Sequence, residues 1–213
     1  IKNVSKNISK IIKNDDLILI RSTVPIGTSR NVIIPILEES KLKAGKDFFV
    51  AFTPERTIEG NALEEIFTIP QIIGGFTSDC LEKSELFWQN ITNTTVSTSN
   101  LEAAEITKLL NNSFRDLTFG FSNAFVEVAT NLNLEANKII RAANSGYVRG
   151  NIPISSPGVG GYCLTKDPYI YGSFDTNLNY SKLAHLTRNI NKFSAEYPYK
   201  MLTKFCKIEK LSL

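Results

Sequence analysis

Four short apolar runs, Leu17 to Ile20, Phe48 to Phe52, Gln71 to Gly74 and Thr95 to Ser97, punctuate the first hundred residues, and no other feature of the chain limits its fold as tightly. Between them lie segments with helical periodicity: Ser29 to Glu39, with Val32, Ile33, Ile36 and Leu37 apolar, and Ser78 to Asn90, with Leu81, Leu86, Phe87 and Trp88. A strand covered on both faces reads as a continuous apolar run, and a helix that covers it is apolar every three to four residues. Their alternation predicts an α/β arrangement with a parallel, helix-covered sheet. No G-x-G-x-x-G follows a first strand, so the segment reads as the later half of a doubly wound, Rossmann-like domain. The opening IKNVSKNISKIIKNDD lacks an initiating Met and places Ile8, Ile11 and Ile12 on one helical face, which reads as part of something longer.

The character changes at Asn100. Asn100-Leu101-Glu102-Ala103-Ala104-Glu105 combines a capping residue with acids in a first helical turn. A long helix is expected to about Thr130, a second from Leu134 to Asn144 ending near Gly146, and a third from Asn179 to about Lys204 with Pro198 as a point of kinking. The expected organisation is therefore a partial α/β domain over residues 1–97 and an all-helical domain over 98–213.

With 213 residues, 42% of them hydrophobic, the chain is able to bury a core of one full domain plus a piece of another. A net charge of +3 spread along the chain argues against a nucleic-acid surface and suits an anionic small molecule. Cys80, Cys163 and Cys206 are odd in number and lack C-x-x-C spacing, which points away from disulfides and zinc and toward a reducing cytoplasm. No apolar run approaches a membrane span. The lone histidine, His185, sits at helical spacing in SKLAHLTRNINKF and reads as a packed helix residue.

Four segments carry candidate chemistry. Gly158-Val-Gly-Gly-Tyr-Cys163-Leu-Thr-Lys-Asp167-Pro168 hangs one cysteine in a glycine-rich loop, with Lys166 placed to favour its thiolate. Taken alone, such a loop is more often a tight turn around an inert thiol. Along the long helix Lys108, Asn112, Arg115, Asn123 and Glu127 form one polar stripe, which by itself is a solvated face. Lys108 and Asn112, at i and i+4, nevertheless point the same way and together suit an oxyanion. Arg21-Ser-Thr-Val-Pro-Ile-Gly-Thr28 and Thr53-Pro-Glu-Arg-Thr-Ile-Glu-Gly60 each follow a predicted strand, at the rim where α/β sheets bind ligands. They offer Thr23, Thr28, Glu55 and Glu59, residues that are otherwise ordinary in turns, caps and charged loops.

In that order, RSTVPIGT, FTPERTIEG, AAEITKLLNNSFRD and SPGVGGYCLTKDP resemble the UDP-glucose/GDP-mannose dehydrogenase family of nucleotide-sugar 6-dehydrogenases, over almost the whole chain. PERTIEG followed by LEEIFTIPQIIGG looks most like the branch acting on UDP-N-acetylmannosamine or UDP-N-acetylglucosamine. The resemblance implies NAD as cofactor and a four-electron oxidation of the sugar C6 alcohol to a carboxylate. Cys163 matches the nucleophile, Lys108 and Asn112 the pair that steadies the oxyanion and touches substrate, and Glu55 the base for thioester hydrolysis. Thr23 would place water and, with Glu55 and Lys166, lie beside the cofactor; Asp167 would support the cysteine loop. Glu59, Arg149 and Gly160 would contact substrate, Arg149 and Lys166 being further suited to the diphosphate. No metal is implied. The resemblance also implies a homodimer through the central helices, a cofactor fingerprint upstream of Ile1 and a missing UDP-binding domain reached through the last helix. Tyr162 and Lys166 depart from the branch pattern, where histidine and an apolar residue are usual. Two other classes fit parts of the chain: a single-hydride dehydrogenase of the β-hydroxyacid/6-phosphogluconate type, which also sets Lys and Asn at helical spacing, and a non-catalytic helical dimerisation fragment.

Overall fold

In a computed structural model, which describes residues 1–211, the chain divides into two compact units, residues 1–109 and 110–213. The first unit holds helix α1 (Lys2–Ser9), strand β1 (Leu17–Ile20) and a continuous helical stretch from Ser29 to Ser40 whose regular part is α2 (Ile34–Leu37). Strand β2 (Phe49–Phe52), helix α3 (Ala62–Thr68), β3 (Gln71–Gly75), α4 (Ser78–Gln89) and β4 (Thr95–Ser97) follow. The sheet runs β1-β2-β3-β4, adding strands in one direction as half of a doubly wound sheet does.

β2 and β3 are buried at every position, as their unbroken apolar runs require. Leu37, Phe48, Val50, Phe52 and Ile73 are wholly inaccessible, each burial stabilising the unit by about 1.5–3 kcal/mol. The parallel sheet expected from the alternation holds for β1–β2 and β3–β4, whereas β2 and β3 pair antiparallel. The reason lies in the connection. α3 has seven residues and so spans only about 10 Å; none is fully buried, and it reaches the core through Ile66, a smaller cover than a crossover helix between parallel strands gives. α4 does cover the sheet against β2 and β3; its Thr77 cap accepts a hydrogen bond from the Cys80 N–H at 3.3 Å.

Helix α5 (Leu101–Asn131) runs through the division between the units. The second unit continues with α6 (Ala136–Asn144), the glycine loop, α7 (Asp167–Gly172) and α8 (Asn179–Glu209), which passes through Pro198 without a break. α5 and α8 meet through small and polar groups: a Cβ on Gly120 would sit 2.5 Å from Thr187 Cγ2, so only glycine lets the two helices approach this closely. The polar stripe of α5 divides: Arg115 and Glu127 are exposed as on a solvated face, Lys108 is half-buried, and Asn112 and Asn123 are turned inward. Asn112 and Asn123 are buried together with Asp116 and Ser122, while Leu110, Phe114, Phe121 and Val128 are about half exposed or more.

Candidate active site

At the carboxyl ends of β1 and β2 the chain extends the parallel ladder, Thr53 N–H donating to Ile20 O (2.9 Å) and Glu55 N–H to Arg21 O (3.2 Å). This brings the loops Arg21 to Thr28 and Thr53 to Gly60 side by side at the rim where such sheets bind ligands. Thr23 is half-buried there, and Thr53 is wholly buried with its hydroxyl unpartnered within the protein. Glu55 receives Arg21 Nη2 at 2.5 Å and the Thr57 N–H at 2.8 Å. Arg21 is in turn stacked 4.7 Å from the Trp88 ring and reaches Gln71 Oε1 at 3.5 Å. Partial burial pushes the Glu55 carboxyl up, but the hydrogen bonds from Arg21 and Thr57 and the Arg21 charge outweigh it and hold it at about 2, below its ordinary 4.5. In this arrangement Glu55 is a weak proton acceptor, and a base role requires Arg21 to release it.

The turn after Val24 is organised by a residue of α5. Glu105, buried, accepts the N–H groups of Gly27 (2.5 Å) and Ser29 (2.8 Å) and so fills the start of the helical stretch with a protein carboxylate. Thr28 donates its hydroxyl to Pro25 O at 2.6 Å and acts as a turn residue. Glu59 lies on the exposed loop before α3.

In the second unit the cysteine loop is tied directly to α5. Asn112 Nδ2 donates to Asp167 Oδ2 at 2.6 Å, joining two of the expected site residues across fifty-five positions of sequence. Asp167 is fully buried and begins α7, and its N–H donates to Cys163 O at 3.0 Å. Its other carboxylate oxygen takes the Lys166 ammonium, so Lys166 is engaged with Asp167 and not held out toward a phosphate. Lys108 lies one helical turn before Asn112 and is half-buried. Cys163 is exposed, whereas Cys80 and Cys206 are buried. Gly158 has φ +99° and lies where a Cβ would come within 3.0 Å of Ala195 Cβ; Gly160 faces open space. Arg149 is exposed beyond α6, its guanidinium 4.9 Å from the Tyr147 ring, and His185 is exposed on α8 against Tyr169 at 4.8 Å.

Several residues that shape this site were not singled out from the sequence. Asp116 Oδ1 receives Arg188 Nη1 at 2.5 Å and Asn191 Nδ2 at 2.9 Å, and all three side chains are buried. Burial pushes the Asp116 carboxyl above its ordinary value against the pull of Arg188 and Asn191. The legible signal was a pair of matching helical periods: Asn112, Asp116, Gly120 and Asn123 on α5, and Ala184, Thr187, Arg188 and Asn191 on α8. A groove of about 670 Å³ between α5, α8 and Ser155–Pro157 holds none of Cys163, Asn112 or Asp167, and so is not the candidate site.

Residues 1–92 match the NAD-binding domain of the UDP-glucose/GDP-mannose dehydrogenase family and residues 102–193 its central domain. The chain belongs to this family. It is 31% identical over 199 residues to a UDP-N-acetyl-D-mannosamine dehydrogenase of Methanococcus aeolicus, covering 93% of this chain and 43% of that protein. It is 32% identical over 200 residues to the protein of the same name from Campylobacter jejuni, covering 90% and 48%. The solved structure of the Pyrococcus horikoshii UDP-D-ManNAc dehydrogenase superposes with a TM-score of 0.91 at 27% identity, over 99% of this chain and 50% of that one. The chain thus spans about half the length of the relatives it matches.

Proposed function

We propose that the chain carries catalytic groups of an NAD-dependent nucleotide-sugar 6-dehydrogenase, which oxidises the C6 alcohol of a UDP-N-acetylhexosamine to the uronate. The observation that supports this most directly is the loop geometry: the exposed thiol belongs to Cys163, and the loop that bears it is anchored by Asp167 to Asn112 of α5. NAD supplies the hydride acceptor when bound, once for each two-electron step. On the protein side, the unpartnered Thr53 hydroxyl and the half-buried Thr23 suit a polar edge of that cofactor at the strand ends. The helix start at Ser29 does not suit its pyrophosphate, since Glu105 already holds the N–H groups there.

The alcohol first loses a hydride and a proton to give the aldehyde. The Cys163 thiolate then adds to the aldehyde carbon, and the resulting thiohemiacetal oxygen is protonated. Loss of a second hydride and of that proton leaves a thioester, and water displaces the thiol to release the carboxylate. Lys108 and Asn112 stabilise the negative oxygen at C6, the lysine by charge and the amide by donation. Glu55, freed from Arg21, takes the proton of the attacking water that Thr23 orients. Asp167 orients the Asn112 amide and keeps the cysteine loop closed. Glu59, Gly160 and Arg149 contact the nucleotide sugar, and Lys166 leaves Asp167 only if the diphosphate displaces it.

The same reading makes the protein a cytoplasmic homodimer that supplies uronate precursors for surface polysaccharide. The homodimer part of this reading is supported by the exposed apolar stripe Leu110, Phe114, Phe121 and Val128 on α5, a contiguous patch of the kind that marks an interaction surface. The decisive test gives the complete protein with Cys163→Ser the sugar alcohol and, separately, the 6-aldehyde. A serine hydroxyl is not activated by any histidine of these motifs, so aldehyde oxidation is expected to fall by about a thousandfold or more. Oxidation of the aldehyde at the parental rate, or one NADH per sugar in the parent, would refute the covalent mechanism.

A further inference from the structure

The glycine loop has no regular secondary structure between Gly150 and Asp167, yet its backbone is gripped by side chains of two helices. Arg188 uses one arm of its guanidinium on Asp116 and the other, Nη2, on the carbonyl of Val159 at 2.9 Å. Asn123 accepts the Ser156 N–H at 3.0 Å through Oδ1 and donates from Nδ2 to Asn191 Oδ1 at 2.9 Å. Asn191 closes the circuit by donating to the side chain and main chain of Asp116, at 2.9 and 3.1 Å. Gly158, between the two gripped residues, lies against the backbone of α8 at Asn191 and Ala195. Burial of the network in both helices excludes water from competing for these bonds.

We infer that Arg188, Asp116, Asn191 and Asn123 are positioning residues for the cysteine loop: they fix its first half at Ser156 and Val159, as Asn112 and Asp167 fix its second half, and so hold Cys163 between two clamps. The inference rests on the reading of Cys163 as nucleophile for its catalytic meaning, though not for its geometry. The fork of Arg188 is the critical part. A helix-to-helix ion pair needs only one charged nitrogen, and lysine supplies it; the second arm, to a loop carbonyl, is specific to the planar guanidinium. A purely structural role for the network would be served by the first arm alone.

The test uses the chain itself, because its readouts need no turnover. Cys163 is exposed while Cys80 and Cys206 are buried, so a nitroxide reagent labels Cys163 selectively under native conditions. In Arg188→Lys, well below the midpoint of unfolding and with helical circular dichroism retained, the spin-label spectrum is expected to sharpen. Amide exchange of the Ser156–Asp167 segment is expected to quicken by about tenfold, while that of α4 in the first unit is unchanged. Should Arg188→Lys fail to fold, Asn123→Ala is expected to give the same local loosening from the other side of the network. A folded Arg188→Lys or Asn123→Ala variant with parental spin-label mobility and parental exchange in this segment would overturn the inference. Failure of the catalytic reading shows separately, as unimpaired aldehyde oxidation by Cys163→Ser in the complete protein.

Discussion

The two units are stabilised by opposite means. Residues 1–109 contain both clusters of buried apolar side chains found among the described residues, one built on Ile20, Leu37, Phe48, Val50 and Phe52 and the other on Ala51, Ile73 and Trp88. In residues 110–211 the interior between α5 and α8 is largely amide, carboxylate and guanidinium, and Leu110, Phe114, Phe121 and Val128 of α5 are exposed. An apolar core is tolerant of detail, since it needs volume and the absence of water. A polar interior is not: each bond must be made, and one lost partner leaves a desolvated group behind. The contrast explains why a strand-and-helix layer serves as scaffold for rim residues, while the cysteine loop is carried where its backbone can be held by named hydrogen bonds.

Four substitutions sharpen or break this comparison, beginning with the largest effect. Phe52→Ala, at a wholly buried position, should destabilise the first unit by about 3–5 kcal/mol. Trp88, the only tryptophan, packs in that unit, so its fluorescence during urea unfolding follows the first unit alone. A loss below about 1 kcal/mol would show the apolar core to be less tightly packed than its burial indicates.

Asp116→Ala leaves Arg188 buried without its partner and should cost the second unit about 3–4 kcal/mol, read by helical circular dichroism. Replacing both residues with apolar ones of similar volume, Asp116→Leu with Arg188→Met, should restore most of that stability, because the pair itself pays a desolvation penalty. Burial raises the Asp116 carboxyl above its unfolded value, so its contribution is present below the ordinary aspartate range and is lost as pH rises through the raised value. A double variant no better than Asp116→Ala would mean that the polar interior is needed for stability as well as for geometry.

Arg21→Gln should return the Glu55 carboxyl toward its ordinary 4.5 from about 2, as followed by NMR titration. Because the folded value lies below the unfolded one, the stabilisation is complete above about 4.5 and is lost as pH falls toward 2. Both side chains are partly solvated, so the effect on stability should stay under about 1 kcal/mol. An unchanged titration would remove Arg21 as the cause.

Phe121→Ser should change the stability of the unit by no more than about 0.5 kcal/mol, since the residue is 64% exposed. If the α5 stripe joins two copies, the same substitution should shift sedimentation of the complete protein toward monomer at micromolar concentration. An unaffected oligomer would place the dimer contact elsewhere.

Much of this was legible in residue order. The four strands and α4 and α5 fall within one or two residues of their apolar patterns, because a period of two or 3.6 is a local property of the chain. The local spacing of the motif residues was legible too, since Cys163 with Asp167, and Lys108 with Asn112, are separated by a loop or a single helical turn. α3 and α7 were not read, being only six or seven residues long and too short for a period to show.

What sequence alone determined is therefore the order of elements and the identity of the chemical groups, both of which are written into spacing along one segment. Tertiary structure decided the antiparallel seam between β2 and β3, the capture of Glu55 by Arg21, and the burial of Asp116 and Asn123 of α5 against Arg188 and Asn191 of α8. Each of these depends on partners 20 to 75 positions apart, and a residue's own period says nothing of which distant group will meet it. The face of a helix that turns inward is settled by what packs on it, and here α8 brought Arg188 and Asn191 to Asp116 on α5 and left Phe114 and Phe121 outside.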